Sequence, residues 1–227
     1  MEHPDRFTDR AEAGRALAQD VAQYLQHAGY GGRPLIAALP RGGVPVGLEL
    51  AHAVDGDLDI VVARKIGLPW QPELGIGAVT ADGPPILDHR VLAQVGLTAQ
   101  QLNPAIERER AEVHRRLRRY RGDQPPPRVT GRVVIVVDDG LATGVTARAA
   151  LASLRAQEPD RLLYAAPVCA PESADLLRRD ADAVICLRMP ARFRAGGQWY
   201  TDFTQLDDEQ VTQLLARSWH TTPTRRP

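Results

Sequence analysis

The sequence has few of the features that mark specialised protein classes. It contains only two cysteines, Cys169 and Cys186, which are far apart, lack metal-ligand spacing and lie in apolar runs, so we expect two buried, reduced thiols. Lysine plus arginine equals aspartate plus glutamate at 28 each, and this zero net charge gives no support to a general role on nucleic acid or at a membrane surface. No apolar run approaches the roughly 18 residues of a membrane-spanning helix.

The beginning of the sequence is polar and has no apolar segment typical of a signal peptide. Together with the expected reduced cysteines, this predicts a cytoplasmic protein. A length of 227 residues fits one domain, with room for a small appended subdomain.

Short apolar runs alternate with helical patterns along the chain. Because the runs are apolar along their whole length, they predict an α/β fold in which a parallel sheet is covered by helices on both faces. The main runs are PLIAALP, DLDIVVARKIG, VVIVV, RLLYAAPVCA and DAVICLRMP.

One stretch, VVIVVDDGLATGVT at residues 133–146, suggests a chemistry. Its strand ends in Asp138 and Asp139, which places two carboxylates at the carboxyl edge of the sheet, where ligands of open α/β folds bind. The loop that follows enters a helix whose first N–H groups are unpaired, so it predicts a phosphate site. Carboxylates that accept from vicinal hydroxyls beside a phosphate site indicate a sugar phosphate. The phosphate loop consists of Gly140, Leu141, Ala142, Thr143, Gly144, Val145 and Thr146.

Other interpretations of this stretch fit less well. A P-loop needs a lysine that is absent here, and the dinucleotide fingerprint GxGxxG is also missing. A buried strand that simply ends at a polar turn explains one aspartate, but it poorly explains two aspartates followed by a Gly/Thr loop and a helix.

These residues resemble the ribose-phosphate motif of type I phosphoribosyltransferases. ALPRGGVPVG resembles the pyrophosphate loop of that family, and DIVVARKIGLP resembles a strand that carries an Arg-Lys pair before a mobile loop. With the GQWYTDF tail, the pattern is most similar to a bacterial group whose acceptor is unsettled. In one departure, Ala142 stands where many members carry Thr, Ser or Asp, so the loop would have one side-chain donor fewer.

The resemblance implies a single phosphoribosyltransferase domain at residues 1–220 with a Rossmann-like core, in which the chain ends, at about residues 1–30 and 190–218, form a small hood. It leaves a loose tail at 221–227. It implies transfer of a phosphoribosyl group from 5-phosphoribosyl 1-diphosphate (PRPP) to a small-molecule acceptor, for which a nitrogenous base is the expected class. Mg²⁺ is expected near Asp138 and Asp139, held mainly by substrate and water. No nucleic acid or membrane partner is expected, and a homodimer is a candidate assembly. The alternative function is a non-catalytic PRPP sensor on the same fold.

The resemblance also implies roles for individual residues. Asp138, Asp139, Arg41 and Lys65 would be catalytic, and the phosphate loop would bind the 5-phosphate. The pyrophosphate would contact Arg41, Gly42, Gly43, Arg64 and Lys65. An aromatic cluster in the tail, Trp199, Tyr200 and Phe203, would stack the acceptor.

Simpler explanations remain open for several of these residues. Arg41 is also compatible with a surface turn, and Arg64 and Lys65 with a solvated strand end. The aromatic cluster could equally form a small hydrophobic core under the last helix. The helix from Glu107 to Arg121, with seven arginines against three glutamates, is best explained as a solvated face with Glu–Arg pairs at i,i+4 spacing.

Overall fold

The structure, a computed structural model, describes residues 6–68, 70–193 and 195–221, so all but the first residue of the tail expected at 221–227 lies outside the described residues. Its helices are α1 (Arg10–His27), α2 (Gly43–Ala53), α3 (His89–Gln94), α4 (Asn103–Arg121), α5 (Val145–Arg155), α6 (Pro171–Leu177) and α7 (Asp208–Thr221), with short 3-10 turns at Ala99–Leu102 and Gly196–Trp199. Its strands are β1 (Leu35–Ala38), β2 (Asp57–Ile60), β3 (Arg64–Leu68), β4 (Gln71–Val79), β5 (Ile86–Leu87), β6 (Val133–Val137), β7 (Arg161–Val168) and β8 (Ala183–Arg188).

The main sheet has the strand order β2-β1-β6-β7-β8, and every pairing in it is parallel. Side chains alternate between its two faces along each strand. Ile36, Ile135 and Leu163 pack under α1, α2 and α7, whereas Leu35, Val134 and Leu162 pack under α5 and α6. Both faces are therefore buried, which explains why the strands are apolar throughout and confirms the predicted fold class.

A second, antiparallel sheet of order β3-β4-β5 comes from the middle of the chain. It has its own hydrophobic cluster with α3 and the first turns of α4, in which Ile66, Ile76 and Leu102 are fully buried. The sequence interpretation treated DIVVARKIG as one strand, but β2 ends at Ile60 and β3 begins at Arg64. A continuous apolar run carries no signal for the point at which a chain passes from one sheet to another.

The structure describes parts of both chain ends that were assigned to the hood. α1, at one end, lies along α2 and covers the main sheet with Leu17 and Val21. The two ends meet, because the N–H of Phe7 donates to the carbonyl of Trp199 over 2.9 Å and Phe7 pairs with Tyr200. The hood stays a prediction, and α1 is part of the layer that covers the main sheet.

The expectation of two reduced thiols was wrong for this structure. Cys169, directly after β7, forms a disulfide with Cys186 of β8, and their Cα atoms lie 6.4 Å apart. The two strands are neighbours, with Ala166 opposite Cys186. Spacing along the sequence did not reveal this register, so the pairing could not be predicted.

Within the described ranges, every helix is too short or too polar to cross a membrane.

The arginine-rich helix α4 shows the solvated pairs that its sequence predicts. Arg115 and Arg116 both bind Glu112, at 2.6 and 2.8 Å. The last residue of the helix behaves differently, because the NH2 group of Arg121 lies 2.8 Å from Oδ1 of Asp59, a residue that is 7% exposed. Burial raises the pKa of Asp59, while the charge and hydrogen bond of Arg121 act to lower it.

Replacement of Arg121 by Met should therefore destabilise the fold in a pH-dependent way. It leaves a buried carboxylate unpaired, which typically costs about 3 kcal/mol at neutral pH. The pKa of Asp59 in the folded state rises further in the variant, so protonation relieves the loss as the pH falls toward the unfolded pKa of about 4. Urea unfolding at pH 7 and pH 4.5, with the exposed Arg119→Met as control, measures both quantities. An equal loss at the two pH values would contradict the assignment.

Candidate active site

Two loops lie side by side at the carboxyl edge of the main sheet. β1 and β6 are hydrogen-bonded neighbours, with Ala38 opposite Val137. The chain leaves β1 toward α2 on one face and leaves β6 toward α5 on the other. Adjacent strands whose connections diverge in this way open a crevice between their carboxyl ends, and α/β proteins bind ligands there.

The β1–α2 loop approaches the end of β6 so closely that two positions have no room for a side chain. A Cβ on Gly42 would collide with Oδ2 of Asp139, and one on Gly43 would lie 2.5 Å from the carbonyl oxygen of Val137. The N–H of Gly43 donates to Leu39, whereas that of Gly42 has no partner among the described residues. The N–H of Gly42 is therefore free to bind a ligand beside Arg41.

The phosphate loop contains three consecutive backbone N–H groups without partners among the described residues. In the described chain, the backbone N–H groups of Ala142, Thr143 and Gly144 have no hydrogen-bond partner. Gly144 adopts a left-handed conformation at φ 73° and is the N-cap of α5, whose first N–H groups are also without intrahelical acceptors. Two hydrogen bonds fix the loop to neighbouring elements. The N–H of Leu141 donates to the carbonyl of Val168 over 2.8 Å, and the hydroxyl of Ser173 donates to the carbonyl of Ala142. This arrangement suits an anion.

The acid pair stands between the two loops. The N–H of Asp139 donates to Oδ1 of Asp138 over 2.8 Å, and the carbonyl of Asp139 accepts from the hydroxyl of Tyr200 over 2.7 Å. Burial raises the pKa of Asp138 well above its usual range, and the charge of Asp139 raises it further; the N–H of Asp139 and the cation of Arg10 act in the opposite direction. The nearby hydroxyl of Tyr164 is buried without a partner among the described residues, and burial raises its pKa.

Arg10 is a site residue that the sequence interpretation missed. Its Nε lies 2.7 Å from Oδ2 of Asp139, although the two residues are 129 positions apart. One signal was available, because Arg10 shares a helix face with the buried residues Ala13, Leu17 and Val21. An arginine on an apolar face requires a buried partner.

The Arg-Lys pair stands on the second sheet. Arg64 is occupied by an ion pair, with Nε 3.0 Å from a carboxylate oxygen of Glu109 in α4, whereas Lys65 is exposed beside Gly75. Both residues lie at the start of β3, which follows the carboxyl end of β2 after a short connection. Sequence reasoning identified the basic pair but not its carboxylate partner.

Arg41 also has a carboxylate neighbour. Its NH1 group lies 4.0 Å from Oδ1 of Asp208, the first residue of α7, and that oxygen accepts from the hydroxyl of Tyr120 over 2.6 Å. Burial is the largest cause, and the hydrogen bond to Asp208 the next, of a rise in the pKa of Tyr120 to about 12. Its proton therefore stays on the phenol at neutral pH. Arg41 is therefore not a free surface turn residue, since its guanidinium faces a carboxylate of another element.

The aromatic side chains of the tail differ in how far they are buried. Tyr200 is 2% exposed and its ring packs against Phe7 and Phe203, so it has no free face for stacking an acceptor. Phe203 is 36% exposed on one side and has the guanidinium of Arg10 over its ring at 3.9 Å. Trp199 is half-buried. The cluster is thus partly the small core that the sequence allowed and partly an accessible surface at Phe203 and Trp199.

Comparisons with known proteins agree with this arrangement. The family model described as the phosphoribosyl transferase domain matches residues 5–197. Two curated Mycobacterium tuberculosis proteins, from strains CDC 1551 and H37Rv and named as inferred phosphoribosyl transferases, are 40% identical over 212 residues, which is 93% of this chain and 47% of each of them. The chain thus spans about half the length of these relatives.

A crystal structure of the protein TT1426 from Thermus thermophilus is also similar. It shares 37% sequence identity with this chain, covers 93% of it and 98% of its own length, and superimposes with a TM-score of 0.77. The family model covers the sheet edge at which the two loops and the acid pair meet, and the chain belongs to the phosphoribosyl transferase domain family.

Proposed function

We propose that this chain transfers the 5-phosphoribosyl group of PRPP to an acceptor, a nitrogenous base in our hypothesis, and releases pyrophosphate. The observation that carries the proposal is the unpartnered N–H array at Ala142, Thr143 and Gly144 in the described chain, which begins three residues after Asp139. An anion site that follows two carboxylates in the same loop matches a ribose that carries a phosphate at one end and hydroxyls at the other.

The reaction breaks the bond between the anomeric carbon and a diphosphate oxygen and forms a bond from that carbon to the acceptor. In the transition state, positive charge develops on the ribose and negative charge develops on the leaving diphosphate. The chain would act through positioning and electrostatics rather than through a covalent nucleophile. The acid pair would bind the ribose hydroxyls and favour the cationic ring.

The leaving diphosphate would meet cations of the β1–α2 loop and of the second sheet. Arg41 and the free N–H of Gly42 stand on the β1–α2 loop, and Lys65 is exposed on the second sheet. Arg41 is close to the carboxylate of Asp208, and Arg64 is close to that of Glu109. On binding, the diphosphate would replace these carboxylates as partner of the two guanidinium groups or share the groups with them. Exchange of a protein carboxylate for a more highly charged diphosphate is electrostatically favourable for a guanidinium.

The residues present fit a magnesium ion that arrives with the substrate. Within the described part of the chain, no three His, Cys, Asp or Glu side chains are grouped so as to hold a metal. Magnesium in proteins usually keeps several waters and uses one or two carboxylates together with substrate phosphates. Near Asp138 and Asp139, bound mainly through substrate and water, it would offset the charge of the leaving diphosphate.

A screen for pyrophosphate release tests the proposal directly. With PRPP and Mg²⁺, the wild-type chain should release pyrophosphate with at least one member of a panel of purines, pyrimidines, other amines and hydroxylated compounds. The double variant Asp138→Asn/Asp139→Asn should remain folded by circular dichroism and lose activity by orders of magnitude, because the ribose hydroxyls lose their anionic acceptors. Tight PRPP binding without turnover across the panel would instead favour the non-catalytic sensor.

The two anion sites should respond differently to mutation. Arg41→Ala removes a contact that strengthens as the diphosphate leaves, so it should lower kcat by about 10²–10³. Thr143→Ala removes a contact to a 5-phosphate whose charge does not change, so it should mainly raise the KM for PRPP. Steady-state kinetics measure this difference, and an Arg41→Ala enzyme with normal kcat would show that the two sites are wrongly placed.

The close approach at Gly42 gives a third test. A methyl group there displaces the carboxylate of Asp139, and a displacement of about 1 Å at a reacting centre costs about 100-fold in rate. Gly42→Ala should therefore reduce kcat/KM by that factor with a small change in Tm. Gly32→Ala, where the added methyl meets no heavy atom within 4 Å, is the matched control. Equal activity of the two variants would contradict the observed contact.

A further inference from the structure

Arg10 is held in place from three directions. Its Nε donates to Oδ2 of Asp139 over 2.7 Å, its NH1 donates to the carbonyl of Thr204 over 2.9 Å, and its guanidinium lies 3.9 Å from the centre of the Phe203 ring. The side chain is 9% exposed, so water screens this ion pair little. The pair is therefore a fixed part of the site rather than a surface contact of small energy.

Asp139 is correspondingly fixed. Its Oδ2 binds Arg10 and lies directly over Gly42, its carbonyl accepts from Tyr200, and its N–H donates to Asp138. Oδ2 of its carboxylate, its N–H and its carbonyl are engaged with neighbouring groups, whereas no donor among the described residues binds Oδ1. Its negative charge is compensated by a cation at hydrogen-bond distance.

Asp138 differs from its neighbour. Among the described residues, the only hydrogen bond to its carboxyl group is the one that the N–H of Asp139 donates to Oδ1. Its other carboxyl oxygen, like Oδ1 of Asp139, has no protein donor in that part of the chain, but no cation there lies at hydrogen-bond distance from Asp138. The adjacent aspartates are therefore not equivalent.

We propose that Arg10 is a positioning residue for the acid pair: it fixes Asp139 as an anchored anion between the two loops, so that the carboxyl oxygens without protein donors, one on each aspartate, meet the ribose hydroxyls. This inference rests on the proposed function and makes it more specific. Two carboxylates in contact repel each other strongly in a partly buried site. The cation of Arg10, which reaches the pair from α1, offsets that repulsion and keeps both side chains in position.

Ligand binding separates this role from a general effect on folding. Ribose 5-phosphate should contact the acid pair and the phosphate loop, whereas pyrophosphate with Mg²⁺ should contact mainly the β1–α2 loop. Calorimetry on Arg10→Met should show at least tenfold weaker binding of ribose 5-phosphate and binding of Mg²⁺–pyrophosphate within about threefold of wild type. Arg10→Lys, which keeps the charge, should restore part of the lost affinity.

Two further variants complete the experiment. Arg15→Met, on the same helix, removes an arginine whose side chain is 61% exposed and which pairs with Glu49, and it should bind both ligands as wild type does. The double variant Arg10→Met/Asp139→Asn should lose less affinity for ribose 5-phosphate than the two single variants lose together, because Arg10 acts through Asp139. Additive losses would show that Arg10 acts through something else and would overturn the inference.

The remaining outcomes are also decisive. If Arg10→Met binds ribose 5-phosphate as tightly as wild type, or loses both ligands and its thermal stability together, the positioning role is wrong while the proposed function stands. If the wild-type chain binds neither ribose 5-phosphate nor Mg²⁺–pyrophosphate, the proposed function fails and this inference fails with it.

Discussion

The pairing of β1 with β6 is the constraint on which the rest of the site depends. These strands come from distant parts of the chain, with Leu35 opposite Val134, yet their parallel ladder sets both carboxyl ends at one level. The β1–α2 loop and the acid pair then stand close enough for Gly42 to touch the carboxylate of Asp139. A shift of the register by one residue would turn every side chain of the strand to the other face and separate the loops.

Local sequence predicted those parts of the site that are local in structure. The stretch from Val133 to Thr146 contains its own strand, loop and helix start, so its conformation followed from hydrophobic pattern and glycine placement, and the structure has these elements. Arg10, Glu109 and Asp208 were not predicted, because each meets its partner only after helices from distant segments have packed. Side-chain charge is visible in a sequence, but the surface that will compensate it is not.

The division of the fold into two sheets was the least predictable feature. β3 follows β2 after only three residues, and all of them are apolar, so no turn residue marks the passage. The second sheet nevertheless has a separate hydrophobic cluster and carries Arg64 and Lys65 on its first strand. The phosphate loop and the acid pair thus belong to the main sheet, and the basic pair belongs to a separately packed sheet.

The contacts of Arg10 also set an order of events during synthesis. This side chain is synthesised before its partners, Asp139 and the carbonyl of Thr204, which lie 129 and 194 positions further along the chain. Domains begin to fold from the N-terminal side as they are made, and contacts of such separation form late. In a nascent chain that has already paired β1 with β6, Arg10 still lacks its second partner. The geometry of the acid pair is therefore completed only when the segment that contains Thr204 has been synthesised.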